Sequence, residues 1–199
     1  MIKALPGCIL VLWLPVCCFC FAQIYYPNQE VRVNDLPPLT AKSRNPSDVL
    51  AAAVEMILHD RTMCCGKDSA LEDSVQSADP KSLKDISNKL QGRHLLNDGR
   101  PIVISAEYLP AASVNPDQLI NTLVQKHALV MQWHSHFYVI YGVVYDQTLN
   151  QDSGMVNAIH KFLLIDPRYS DARREVVFDR LNDDWGKVQG LLTLKVASQ

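Results

Sequence analysis

Three groups in this chain have side chains suited to acid–base or covalent chemistry: the thiols of Cys64 and Cys65, the imidazole of His136, and the carboxylate of Asp166. His136 leads the apolar and aromatic run from Phe137 to Tyr145, and Asp166 closes Phe162-Leu-Leu-Ile165 just before Pro167. Both runs have the composition of buried strands. If the two strands pair, the imidazole and the carboxylate fall within hydrogen-bonding reach. That is the base and its orienting group in a nucleophilic triad. Its nucleophile would have to come from elsewhere in the chain.

The elements that must position these groups are legible from periodicity. Asn45-Pro-Ser-Asp48 offers a helix start, and Val49, Leu50, Ala53, Val54, Met56 and Ile57 follow at helical spacing, predicting a helix from Ser47 to about Asp60. Further helices are expected over Lys67–Ala78 and Pro80–His94, the latter with Leu83, Ile86 and Leu90 as its stripe and Gly92 near its stop. A short one is expected over Pro116–Leu123. Strand signals fall at Pro101–Ser105, Ala128–Met131, Phe137–Tyr145, Lys161–Ile165, Glu175–Phe178 and Leu191–Val196. Helices first and strands afterwards predicts an α+β fold with a mostly antiparallel sheet. No internal repeat is visible.

The 199 residues suit one domain with a sizeable core, and a net charge of -2 gives no electrostatic reason to expect a nucleic-acid partner. Residues 1–22 read as a signal peptide: Lys3 supplies the positive region, Ile9 to Phe21 the apolar region, and Ala22 the small residue at the cleavage point. A secreted or periplasmic protein without stable membrane insertion after cleavage is therefore expected. Residues 23–45 read as a proline-bearing linker or extended arm, and residues 46–199 as the organised domain. Of six cysteines, four would leave with the signal, so the mature chain keeps only Cys64-Cys65. Adjacent cysteines cannot staple distant segments, which excludes a disulfide framework. They can act as thiols, or form a vicinal disulfide in an oxidising compartment. No metal-ligand spacing and no cofactor motif is present; His59, Asp60, Asp68 and Glu72 match no metal pattern and read as solvated helix ends.

With those elements in order, the chain from about Ser47 to Val196 resembles the papain-like cysteine peptidases, in particular the compact bacterial branch that includes the double-glycine bacteriocin-leader peptidases. His136-Phe-Tyr-Val-Ile-Tyr-Gly-Val143 is similar to the family's histidine strand, Leu164-Ile-Asp166-Pro167 to its aspartate strand, and Met131-Gln-Trp133 to the short strand before the histidine. The resemblance implies a papain-like fold, a peptide or protein as substrate or ligand, and thiol-dependent amide hydrolysis if the site is complete. His136 would then be the base and Asp166 the group that fixes its tautomer.

Two registers supply different nucleophiles. Aligning the Ser47–Asp60 helix with the family's cysteine helix puts Val49 at the nucleophile's position, and Lys42-Ser-Arg-Asn45 where the family has an oxyanion-site glutamine. The other register uses Cys65, or Cys64, before Gly66 at the start of the second expected helix, where the helix dipole would favour the thiolate. The first register implies a degenerate domain that binds peptide or a partner protein without cleaving it. The second implies a peptidase with Cys65, His136 and Asp166 as its catalytic residues. A vicinal-thiol redox or envelope protein is a third possibility. By strand alternation His134 is expected on the same face as His136.

Overall fold

The computed structural model describes residues 24–62, 75, 82–96, 99–150 and 154–198. Eight strands form one sheet: β1 (Ile24–Arg32), β2 (Gly92–Leu95), β3 (Pro101–Pro110), β4 (Leu129–Trp133), β5 (His136–Asn150), β6 (Gly154–Ile165), β7 (Glu175–Asp179) and β8 (Val188–Ser198). Their order is β2-β3-β8-β4-β5-β6-β7, with β1 also on β5. Every pairing among the described residues is antiparallel. Among the described residues the sheet is accompanied by the helices α1 (Pro46–Thr62), α2 (Leu83–Leu90) and α3 (Pro116–Val124). The α+β class read from the sequence agrees with this arrangement.

The long strand β5 organises the fold. Residues 136–140 pair with β4, and from Gly142 onward the same edge is taken over by β1. Its other edge runs along β6 from Val139↔Ile165 to Asn150↔Gly154. Both faces of its first half are buried, which is why the sequence there is continuously apolar rather than alternating. Phe137 and Val139 face one core, shared with α1 and α2; Tyr138, Ile140 and Val143 face the other, shared with α3.

Helix α1 is central, as its apolar stripe predicts. Val49, Ala53, Met56 and Ile57 are all buried and pack with Phe137, Val139, Leu192 and Leu194 of the sheet. The third expected helix is shorter than read. Ser82 caps α2 by accepting from the Asp85 amide, but Gln91 turns extended after Leu90 and Gly92 takes φ +121°. Residues 92–95 are thereby released to pair with β3. Asn115 and Pro116 start α3 by the expected chemistry, the Asn115 carboxamide accepting from the Asp117 amide at 2.8 Å. The expected helix over Lys67–Ala78 lies outside the described residues except for Val75, which is helical and buried.

The proline-bearing arm differs most from its sequence reading. Its first part, Ile24–Arg32, is hydrogen-bonded into the sheet as β1, with a bulge at Pro27-Asn28 where Asn28 takes φ 51°. The remainder crosses to the start of α1 and is tied down on the way. The Arg174 guanidinium donates to the Pro37 carbonyl at 3.0 Å, and the Ala41 amide donates to the Pro167 carbonyl at 2.8 Å. The turn after Asp166 and the beginning of α1 are therefore neighbours.

Candidate functional site

Asp166 follows the last residue of β6, and its backbone amide donates to the Arg174 carbonyl at 2.7 Å. The carboxylate is 2% exposed. A buried carboxylate needs partners, and Arg168, two residues on, supplies them. The Arg168 amide donates to Oδ1 at 3.0 Å. Its Nε donates to Oδ1 at 2.9 Å, and its Nη2 to Oδ2 at 2.6 Å. This is the bidentate fork that suits a planar carboxylate.

The same guanidinium reaches across to β5. Continuing the β5–β6 register past Val139↔Ile165 brings Tyr138 opposite Asp166 and His136 opposite residue 168. Arg168 Nη2 donates to the Tyr138 hydroxyl at 3.3 Å, and Nη1 lies 3.1 Å from His136 Nδ1. A guanidinium has no acceptor, so Nδ1 must accept and the ring proton sits on Nε2. Burial first, and then the Arg168 charge, push the His136 pKa below its ordinary value, while Asp166 opposes them. Burial and the Arg168 charge thus both disfavour the imidazolium.

The sequence expected His136 and Asp166 to be neighbours within hydrogen-bonding reach. The structure brings them to one cluster but inserts Arg168 between them, and every side-chain hydrogen bond to the carboxylate comes from that arginine. A thiol base needs its acceptor nitrogen free to take a proton and its N–H held by an orienting group; here Arg168 occupies Nδ1 and also takes up the Asp166 carboxylate. Alternation adds a second departure. His136 shares the face of Tyr138 and Ile140, whereas α1 packs on the face of Phe137 and Val139. The imidazole and the Val49 end of α1 therefore belong to opposite faces of β5.

His134 also differs from its expectation. Trp133 pairs with His136, so His134 and Ser135 form the tight turn between β4 and β5, and His134 takes φ 55°. It does not share a strand face with His136. Cys64 and Cys65 lie outside the described residues. Ser43 and Asn45, in the segment replacing the expected oxyanion glutamine, shape the start of α1: the Ser43 hydroxyl donates to Asp48 and accepts from the Asn45 amide at 3.1 Å. Arg44, in the same segment, lies 5.5 Å from the Tyr169 ring centroid, and Arg173 lies 4.5 Å from it. Among the described residues no group of three or more His, Cys, Asp or Glu could hold a metal ion.

Arg168 and Tyr138 are the site residues that sequence reasoning missed. The signal was present: a cation two residues beyond a strand-ending aspartate can fold back on it, and the strand register sets it against His136.

Comparison with known proteins places the fold. The chain is similar to the crystal structure of UfSP from C. elegans, with a TM-score of 0.50 and 13% identity, over 89% of this chain and 38% of that one. The chain thus spans well under half the length of that protein. At this identity the likeness is one of fold, and it supports the papain-like peptidase fold expected from the sequence. No family model matches the chain, and no curated protein matches it.

Proposed function

We propose that this chain is a secreted or periplasmic papain-like peptidase-type domain that binds peptide or a protein partner without hydrolysing it. The fold reading rests on the likeness to UfSP. The non-hydrolysing reading is carried by one observation: the Arg168 guanidinium occupies the position between His136 and Asp166. A cation there occupies the acceptor nitrogen of the imidazole and disfavours the imidazolium, which weakens His136 as the base for a thiol. Val49, which the helix register sets at the nucleophile's position, is 2% exposed in the α1 core and lies on the face of β5 opposite His136, so that register supplies no partner for the imidazole. The gathering of His136 and Asp166 into one cluster keeps the peptidase reading with Cys65 as the alternative.

One labelling experiment separates the two. An electrophilic cysteine probe is applied at neutral pH to the wild type, to His136→Ala, and to Val49→Cys with and without His136→Ala. The expected result is that Cys64 and Cys65 label at the same rate whether or not His136 is present. Cys at position 49 should behave as a buried thiol indifferent to that substitution. A substantially slower reaction of Cys65 in His136→Ala would overturn the non-hydrolysing reading, because it would show an imidazole stabilising that thiolate.

A further inference from the structure

The end of β5 remote from His136 carries a second feature. From residue 136 to residue 149 a strand rising about 3.3 Å per residue covers roughly 40 Å, so this feature is separate from the Arg168 cluster. Here β1, β5 and β6 run together as a three-stranded ribbon. The register sets Ile24, Leu149 and Met155 side by side on one face, and Tyr25, Thr148 and Val156 on the other. Ile24, Tyr25, Tyr26, Leu149, Met155 and Val156 are each 36–55% exposed. A soluble sheet end normally carries polar residues, and clustering of large apolar side chains on both faces marks a contact surface.

The ribbon end is rigid rather than frayed. Asp146 accepts from the Tyr25 hydroxyl and from the Asn28 amide at 2.9 Å, and lies 2.8 Å from His160 Nε2. Those bonds lock the β1 bulge onto β5 and β6. No charged residue occurs in Ile24–Tyr26, Gln147–Leu149 or Gly154–Asn157. Finally, the apolar run Ile9–Phe21 is joined to the ribbon at Ile24 with only Ala22 and Gln23 between.

We infer that this ribbon end is a membrane-contact surface that seats in the interfacial layer of a lipid bilayer. Three observations choose a bilayer over a protein. The apolar residues lie on both faces of a narrow ribbon, which suits immersion better than apposition to one flat partner. Two tyrosines lie among them, and tyrosine favours the membrane–water boundary. The preceding thirteen-residue apolar run meets the surface at its very end, so the chain that would enter a bilayer arrives where the exposed side chains are. Because the described residues of the ribbon end, Ile24–Tyr26, Gln147–Leu149 and Gly154–Asn157, carry no charge, uncharged lipid suffices and salt has little effect. The surface orients the Arg168 cluster away from the membrane whether residues 1–22 are removed or kept.

The test uses the full chain made in an exporting host, floated with phosphatidylcholine vesicles, and compared with Leu149→Asp/Met155→Asp. Leu181→Asp serves as the control, since Leu181 is 83% exposed but lies elsewhere. Wild type and control should float at low and high salt alike, and the ribbon variant should lose vesicle-bound protein by about tenfold. If the apolar run is retained it could float every variant, so depth is read separately. Met155→Trp in vesicles of brominated phosphatidylcholine should lose the fluorescence that it adds over the parent chain. Equal flotation of the ribbon variant together with an unquenched Trp at position 155 would overturn the inference. So would a wild type that ignores vesicles but dissociates from dimer to monomer on the Leu149→Asp/Met155→Asp change, which would assign the surface to a second copy.

Discussion

Replacing Arg168 by methionine tests the geometry on which the functional reading stands. The change keeps most of the side-chain volume and removes the cation. It leaves the Asp166 carboxylate, 2% exposed, without the Nε and Nη2 donors that satisfy it in the native protein. Breaking a buried pair from one side costs about 3–5 kcal/mol. The Arg168 side chain is itself 16% exposed, so some water reaches the vacated position and the lower end of that range applies, about 3 kcal/mol. For a chain of this size that corresponds to a fall in Tm of about 6–12 °C. Adding Asp166→Asn removes the unpaired charge, so the double variant should be more stable than Arg168→Met alone. The His136 pKa should rise in Arg168→Met, because a cation that lowers it is gone while the carboxylate that raises it remains. Denaturant unfolding of the four chains of the cycle, with NMR titration of the imidazole, reads both effects. A loss under about 1 kcal/mol with an unmoved His136 pKa would refute the claim that Arg168 joins the two residues.

Two other outcomes follow from named positions. Gly142 sits where the β5 edge changes partner from β4 to β1, and a Cβ there would meet the Val31 carbonyl oxygen at 2.7 Å and Leu163 Cδ1 at 3.0 Å. Since a backbone carbonyl cannot swing aside, Gly142→Ala should cost about 1–3 kcal/mol and speed amide exchange along β1; unchanged exchange there would contradict the close approach. The pH dependence has a definite sign. The folded His136 pKa lies below its unfolded value, so the folded state binds fewer protons than the unfolded chain between the two. The resulting stability is present above about pH 6.5 and is lost as pH falls through the folded pKa. His136→Gln should therefore flatten the fall in stability that sets in below about pH 6.5, and a profile as steep as the wild type's would remove the desolvated, arginine-facing imidazole.

How much of this was legible depended on which physical signal each residue carried. Helix α1 announced itself through Val49, Ala53, Met56 and Ile57, because a helix between sheet and arm must be apolar along one stripe. Strand β1 did not, because Ile24–Arg32 contains Pro27 and Asn28 and is almost wholly exposed; only pairing with β5 makes it a strand. His136 and Asp166 stood out by residue type, and their approach across β5 and β6 followed from strand order. The face of His136 could not be read in the same way. Phe137-Tyr-Val-Ile140 is buried on both sides, so its apolar pattern does not distinguish the α1 face from the α3 face. Arg168 escaped notice because Pro167 appeared to end the strand motif, whereas the proline only turns the chain so that the guanidinium returns to Asp166.

The Arg168 contacts also set what any activation of this site would require. An imidazole able to accept a thiol proton needs its acceptor nitrogen free, and the guanidinium covers Nδ1 while it also binds Asp166. Releasing it without replacement costs about 3 kcal/mol by the buried-pair argument, so the released arrangement is populated at about 1% or less. A ligand could reverse that ratio only through contacts made better with Arg168 displaced, and an anionic group drawing the guanidinium outward is the chemistry that would do so. Such a ligand would have to favour the displaced state by more than a hundredfold, about 2.7 kcal/mol, merely to bring the two arrangements level. With Arg168 in place, Arg44, Arg168 and Arg173 gather about the Tyr169 ring, and the same guanidinium covers Nδ1 of His136. The ground-state geometry thus weighs against base catalysis by His136 until Arg168 moves.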